Sequence, residues 1–223
     1  GIYVLTEIGL GHVNKNKVGS TIFTKDEFPN ADFEEIEIGR NGKLYCLRKN
    51  GIIEVSQDGT HRSVYESETR DKYFKHFTCD DKGNFYVASY KVVHKIDAEG
   101  NHSRYEFEKN VSLQDIAWTN DNKVLVLEYR DIYELKNGKL EIFLRGRQLS
   151  FGVKFYEAYF DSSNDFWLYS NEGNAFHNDN GEWKNYTPPN GLKTGNFGEH
   201  IMKSNDGDLW MTLAGYSVLR FDG

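Results

Sequence analysis

The amino-acid sequence predicts an all-β fold, a β-propeller of four-stranded blades, and three observations predict it. The first is a repeat. Five segments align along the 223 residues: IEIGRNGKLYCL (36–47), FTCDDKGNFYVA (77–88), IAWTNDNKVLVL (116–127), AYFDSSNDFWLY (158–169) and IMKSNDGDLWMT (201–212). Each runs from an apolar residue through a polar turn to an apolar pair anchored at Leu44, Phe85, Val124, Phe166 or Leu209, with spacings of 41, 39, 42 and 43 residues. A period in the forties that contains several short strands is the mark of a propeller. The second is that each unit spells out a meander. The third is turn chemistry: 21 Gly against 3 Pro, with Asn-Gly and Asp-Gly pairs between apolar runs, the dipeptides that tight hairpins demand.

Within a unit, strand A ends at the polar turn and strand B is the apolar-aromatic stretch. Strand C follows a short connection, at 52–56, 92–97, 132–136 and 217–222. Strand D follows a second turn, at 61–66, 102–107, 140–144 and 183–187. Residues 2–8 read as a strand B with no strand A before it, and 20–24 sit where its strand D belongs. The expected organisation is a single domain over 1–223, with a partial blade at 1–32 and blades at 33–72, 73–111, 112–153, 154–196 and 197–223, the last incomplete. Five to six blades are represented. Two readings stay open: a piece of a larger propeller, which about 25 further residues would close, or a ring of five blades completed by strand 20–24. Helix should be almost absent.

Composition narrows the partners. The net charge of −7 and the isoelectric point near 5.5 disfavour nucleic acid, which usually needs a basic stripe. No apolar run approaches the length of a membrane helix, and no leader pattern is visible. A mean hydropathy of −0.68 coexists with 15% aromatic residues, enough for a core. The two cysteines, Cys46 in a strand and Cys79 at a turn, argue against a disulfide framework.

The last unit resembles a known family. Its residues are Trp183, Tyr186, Thr187, Asn190, Gly191, Leu192, Asp206, Gly207, Leu209, Trp210 and Arg220 to Asp222. They resemble the two-component regulator propeller repeat, with its Trp-x-x-Tyr-Thr, Asn-Gly-Leu, Gly-x-Leu-Trp and Arg-Phe-Asp pieces. The motif covers roughly the last fifth of the chain and weakens elsewhere; unit three has Asn122 for Gly and Leu125 for Trp. The resemblance implies a sensor domain, the periplasmic or otherwise extracytoplasmic input region of a bacterial two-component regulator, with a glycan as ligand. Lactonase-like propellers are neighbours in pattern and imply the alternative, a metal-dependent hydrolase or lyase.

Two sets of residues could carry chemistry. Nine residues before each anchor stand Glu35, His76, Asp115, Glu157 and His200, all of metal-ligating type. In a propeller, strand A is innermost, so these five are expected to form a ring that could hold a divalent cation or a polar ligand; no other cofactor is expected. The plainer reading is that strand A begins in solvent and is polar for that reason. The second set lies on the B–C and D–A connections, where repeat scaffolds concentrate binding. It comprises Arg48, Tyr73, Tyr90, Tyr129, Arg130, Arg147, Asn171, Glu172 and Tyr216, with Arg70, Arg145, Phe151, Asn190 and Phe197 beside them. Rings mixed with Arg, Asn and Glu suit a sugar: the ring covers an apolar sugar face and the polar groups take hydroxyls. A small molecule, an oligosaccharide or a protein partner would fit such a surface. Trp167, Trp210, Tyr45 and Tyr86 share one strand B position and are expected in the core between blades. His61, His94, His102 and His177 have no ligand spacing and read as surface residues. No nucleophile elbow, phosphate-binding loop, His-Glu-x-x-His or paired Cys-x-x-Cys is present.

Overall fold

A computed structural model describes residues 2–6, 9–13, 16, 19–24, 33–39, 41–56, 58–67, 73–108, 111–149, 153–170, 172, 174–186, 198–203, 208–213 and 217–221. Six antiparallel sheets follow one another along the chain, each a simple meander. The first holds Ile2–Thr6 (β1), Gly9–Val13 (β2) and Gly19–Thr24 (β3). The second holds Phe33–Ile38 (β4), Leu44–Arg48 (β5), Gly51–Val55 (β6) and His61–Glu66 (β7). The third holds His76–Cys79 (β8), Phe85–Ser89 (β9), Val92–Ile96 (β10) and His102–Glu106 (β11). The fourth holds Leu113–Trp118 (β12), Val124–Glu128 (β13), Asp131–Lys136 (β14) and Lys139–Arg145 (β15). The fifth holds Phe155–Phe160 (β16), Asp165–Ser170 (β17), Ala175–Asp179 (β18) and Glu182–Tyr186 (β19). The sixth holds Gly198–Lys203 (β20), Leu209–Leu213 (β21) and Ser217–Phe221 (β22). Among the described residues, helix is limited to a single 3-10 turn, Gly146–Leu149. The fold is the all-β propeller of four-stranded blades. Two compact units divide the chain, Gly1–Arg104 and Tyr105–Gly223.

The turns explain why these residues fold locally as they do. Asp80 Oδ1 accepts the N–H groups of Lys82 and Asn84 at 2.9 Å each. Asp97 repeats the device, accepting from Glu99 at 3.1 Å and Asn101 at 2.7 Å. Each aspartate also takes the side-chain amide of the asparagine four residues on. The β14–β15 turn is Asn137-Gly138, with φ of 50° and 75°, the left-handed pair that a two-residue hairpin requires. Strand β2 was not foreseen, because its GLGHV carries two glycines. Gly9 is indispensable there: with φ at 145°, a Cβ would lie 2.2 Å from the Phe23 carbonyl oxygen of β3.

The core follows one rule of side-chain alternation. In the first unit, Leu44 and Cys46 of β5 pack on Leu10 and Phe23 of the preceding sheet. The alternate residues, Tyr45 and Leu47, pack on Phe77, Phe85 and Val87 of the next. In the second unit, Leu125 and Leu127 meet Phe160, Phe166 and Leu168, and Tyr169 meets Ile201, Leu209 and Met211. Strands B are therefore buried on both faces and read as unbroken apolar runs. Each fully buried side chain of this size contributes about 1.5–3 kcal/mol.

This rule corrects one expectation. Trp167 packs, half-buried, against the cluster of Ile201, Leu209 and Met211, but Trp210 is 37% exposed. Leu209 and Met211 face the fifth sheet, so alternation turns Trp210 the other way, where Arg220 lies 5.9 Å over its ring. Two histidines, His94 and His177, also depart from the surface reading, while His102 is exposed as expected. His94 is 2% exposed, and its Nδ1 shares a 2.9 Å hydrogen bond with His102 Nε2. His177 stacks on Trp167 at 4.1 Å, with Asp165 at 2.8 Å from its Nε2. Cys79 closes β8 and is buried, not in a turn. Both cysteines are free; burial pushes the Cys46 thiol up to about 12, which makes it a packing group rather than a nucleophile.

Candidate functional site

The five ionisable residues at the start of the A strands occupy one register position. Glu35 pairs with Leu47, His76 with Ala88, Asp115 with Leu127, Glu157 with Tyr169 and His200 with Thr212. Each partner lies three residues past the anchor of its strand B. In four of the five sheets a β-bulge immediately precedes the position, at Phe33/Glu35, Leu113/Asp115, Phe155/Glu157 and Gly198/His200. Such a bulge re-aims the side chain beside it.

The carboxylates are put to use within each unit. Glu35 Oε2 accepts the backbone N–H of Phe77 at 2.8 Å. Asp115 Oδ2 accepts that of Ala158 at 3.1 Å, and its Oδ1 takes Ile116 at 2.7 Å. Phe77 and Ala158 are matching residues, each one past the ionisable position of the following blade. Strand A is an edge strand, with one row of N–H groups outside the ladder. The acid of the preceding blade supplies that row with an acceptor. His76 Nδ1 stands 3.7 Å from Glu35 Oε1, and both side chains keep about a quarter of their surface, at 27% and 20%. Asp115 is buried. The side chain of His200 lies outside the described residues.

The connections at the B–C and D–A edge form a second candidate cluster in each unit. In the first, the Lys49 carbonyl accepts the Phe74 N–H at 3.0 Å; in the second, the Tyr129 carbonyl accepts that of Phe155 at 2.7 Å. These bonds align Lys49 with Tyr129, and Tyr73 with Lys154. The Lys49 ammonium lies 5.1 Å over the Tyr73 ring, and the Lys154 ammonium 5.3 Å over the Tyr129 ring. The same pair is built twice with ring and cation exchanged. Tyr90 adds a second ring in the first unit, 6.2 Å from Tyr73 with Lys75 at 6.0 Å. It is 59% exposed and holds φ at 48°. Tyr156 adds one in the second, edge-on to Tyr129 at 5.4 Å.

Of the residues expected to bind, Tyr73 and Tyr90 come together, and Tyr129 heads the matching cluster. Arg130 is exposed beside it, its N–H bonded to Glu128 at 3.2 Å. Arg48 and Arg145 are strand residues, not connection residues; Arg48 is tied to Glu66 at 2.7 Å, because the B strand continues to the end of its apolar run. Arg147 sits exposed in the 3-10 turn, and Glu172 is an exposed turn residue. Asn171, Tyr216, Arg70, Phe151, Asn190 and Phe197 lie outside the described residues. Sequence reasoning missed Lys49, Lys75, Lys154 and Tyr156. The lysines just before β8 and β16 were the available signal.

No family model and no curated protein matches the chain. Solved structures do match, and they are propellers. One is virginiamycin B lyase from Staphylococcus aureus, 15% identical, with a TM-score of 0.74 over 99% of this chain and 80% of that one. Another is an extracellular domain described as that of a hybrid two-component system from B. thetaiotaomicron, 17% identical, with a TM-score of 0.66 over 99% of this chain and 30% of that one. A third is YCF48 bound to D1 peptide, 14% identical, with a TM-score of 0.71 over 96% of this chain and 72% of that one. At these identities the likeness defines the fold, which this chain shares with extracellular domains of two-component systems.

Proposed function

We propose that this chain is a ligand-binding propeller, the extracytoplasmic input region of a bacterial two-component sensor, and that its ligand is a glycan held at the B–C and D–A edge. The observation that carries the reading is the lysine–tyrosine pair built in both units on matching backbone hydrogen bonds. A sugar presents an apolar C–H face and a rim of hydroxyls. Tyr73, Tyr90 and Tyr129 offer rings for the face; Lys49, Lys75, Lys154 and Arg130 offer donors for the rim. The likeness to extracellular domains of two-component systems supports the setting. Calorimetry against a panel of neutral and acidic oligosaccharides tests it. One of them binds, and Tyr129→Ala and Tyr73→Ala each weaken it about tenfold, as loss of a stacked ring should, with melting temperatures near wild type. Absence of binding across the panel, or unchanged affinity in both variants, overturns the reading.

A second reading is a metal-dependent hydrolase or lyase working from the acids and histidines that begin the A strands. It is supported by the 3.7 Å approach of Glu35 to His76 and by the fold shared with a lyase. Zinc, calcium or magnesium should then raise the melting temperature of the wild type and leave Glu35→Gln unmoved. If none of the three ions moves the wild type, this reading fails.

A further inference from the structure

A cleft of about 270 Å³ opens in the first unit along one face of the second sheet, at the turn end of the third. Its wall is a cross-strand row, Tyr45 on β5, Glu54 on β6 and Arg62 on β7, set side by side by the register. The Phe85 ring closes the far side, edge-on to Tyr45 at 4.9 Å, with Gly83 and Ala98 from the turns of the third sheet. At the mouth, Glu54 holds two cations, Lys43 at 3.0 Å and Arg62 at 2.6 Å. Glu54 is 14% exposed on its side chain, while Lys43 is 47% and Arg62 66% exposed.

Two positive groups share one negative group, so the mouth carries a net positive charge on a chain whose total is −7. Burial works against the Glu54 charge, yet hydrogen bonds from Arg62 and Lys43 hold its carboxyl below the ordinary value. It stays ionised and fixes both cations in place, and each of them has N–H donors left over. The Tyr45 hydroxyl accepts from Asn41 at 2.9 Å and keeps its own proton to donate. The matching row of the fourth sheet is Leu125, Glu134 and Glu141, and that of the fifth is Trp167, His177 and Lys184. Neither places two cations about a carboxylate over an aromatic floor, so the arrangement is not a requirement of the blade.

We infer that this cleft is a ligand site separate from the loop edge, for a small organic carboxylate whose apolar body is about one ring in size. The carboxylate bridges Lys43 and Arg62, and the ring lies against Tyr45, Phe85 and Val64. Size and charge set the selectivity: a neutral ring lacks the anion, and acetate lacks the body.

The test is calorimetry on the whole chain with benzoate and cyclohexanecarboxylate, against benzyl alcohol and acetate. Both ring carboxylates should bind about tenfold more tightly than either control, the worth of one charge-assisted contact, and rising salt should weaken them. Arg62→Gln and Lys43→Met should each cost about tenfold. Both residues are largely exposed, so folding survives, and Tyr129→Ala should leave this binding untouched. Amide shifts on titration should centre on Gly83 and Ala98. If the ring carboxylates bind no better than benzyl alcohol, or if the two variants bind them as wild type does, the inference falls, whatever oligosaccharides do at the loop edge.

Discussion

Asp115 accepts backbone N–H groups from two strands, that of Ile116 and that of Ala158. Removing it leaves the Ala158 N–H without its acceptor. Asp115→Ala should therefore destabilise by about 1–3 kcal/mol, the cost of orphaning a buried donor, measured by urea denaturation; a wild-type midpoint would show that the bond carries nothing. Asp121 is a different case. Burial opposes its charge, but hydrogen bonds from Ser163, Thr119 and Lys123 outweigh that and hold the carboxyl well below the usual carboxylate range. A depressed folded value stabilises the protein above the unfolded value, about 3.9, and that part is lost as pH falls below it. Asp121→Asn should lower stability at pH 7 by less than about 1 kcal/mol, since the group is partly screened. The difference from wild type should shrink steadily as pH falls below the unfolded value towards the depressed folded one. A difference constant with pH would contradict the assignment.

At the scale of elements, most strands were legible because their two signals agree: β-rich apolar runs, and turns closed by Asp, Asn and Gly. Gly138→Ala tests that chemistry. The added methyl meets only Tyr105 Cε1 at 3.7 Å, so the cost is conformational, about 1–2 kcal/mol for a left-handed position, readable as a lowered melting temperature. An unchanged one would remove the turn's importance. Two features were not legible. Strand β2 hides behind Gly9 and Gly11, which propensity scores against a strand. The bulges before Glu35, Asp115, Glu157 and His200 leave no mark in composition, because a bulge is a statement about pairing and pairing is not local. Without them the matched ionisable positions were visible, but their use as acceptors for the next blade was not. The loop clusters were half legible: the tyrosines stood out as exposed rings, while the lysines that cover them looked like ordinary surface charge.

The whole molecule shows how far a repeat can be trusted. Trp167 and Trp210 hold the same place in their units and were expected to pack alike. Trp167 lies between two sheets, beside His177 and Tyr186, and Trp167→Ala should cost about 3–5 kcal/mol. Trp210→Ala should cost less than that, since a side chain already 37% exposed has less buried surface to lose. Equal losses in the two variants would refute the alternation rule that separates them. The lysine–tyrosine pairs carry the opposite lesson. Lys49 with Tyr73, and Tyr129 with Lys154, preserve a contact while exchanging its halves. Aligned column by column, both positions count as mismatches, although the physical object is unchanged. Lys49→Tyr alone sets ring against ring, and Tyr73→Lys alone sets cation against cation. The double exchange restores the contact, so the two positions are interchangeable only as a pair.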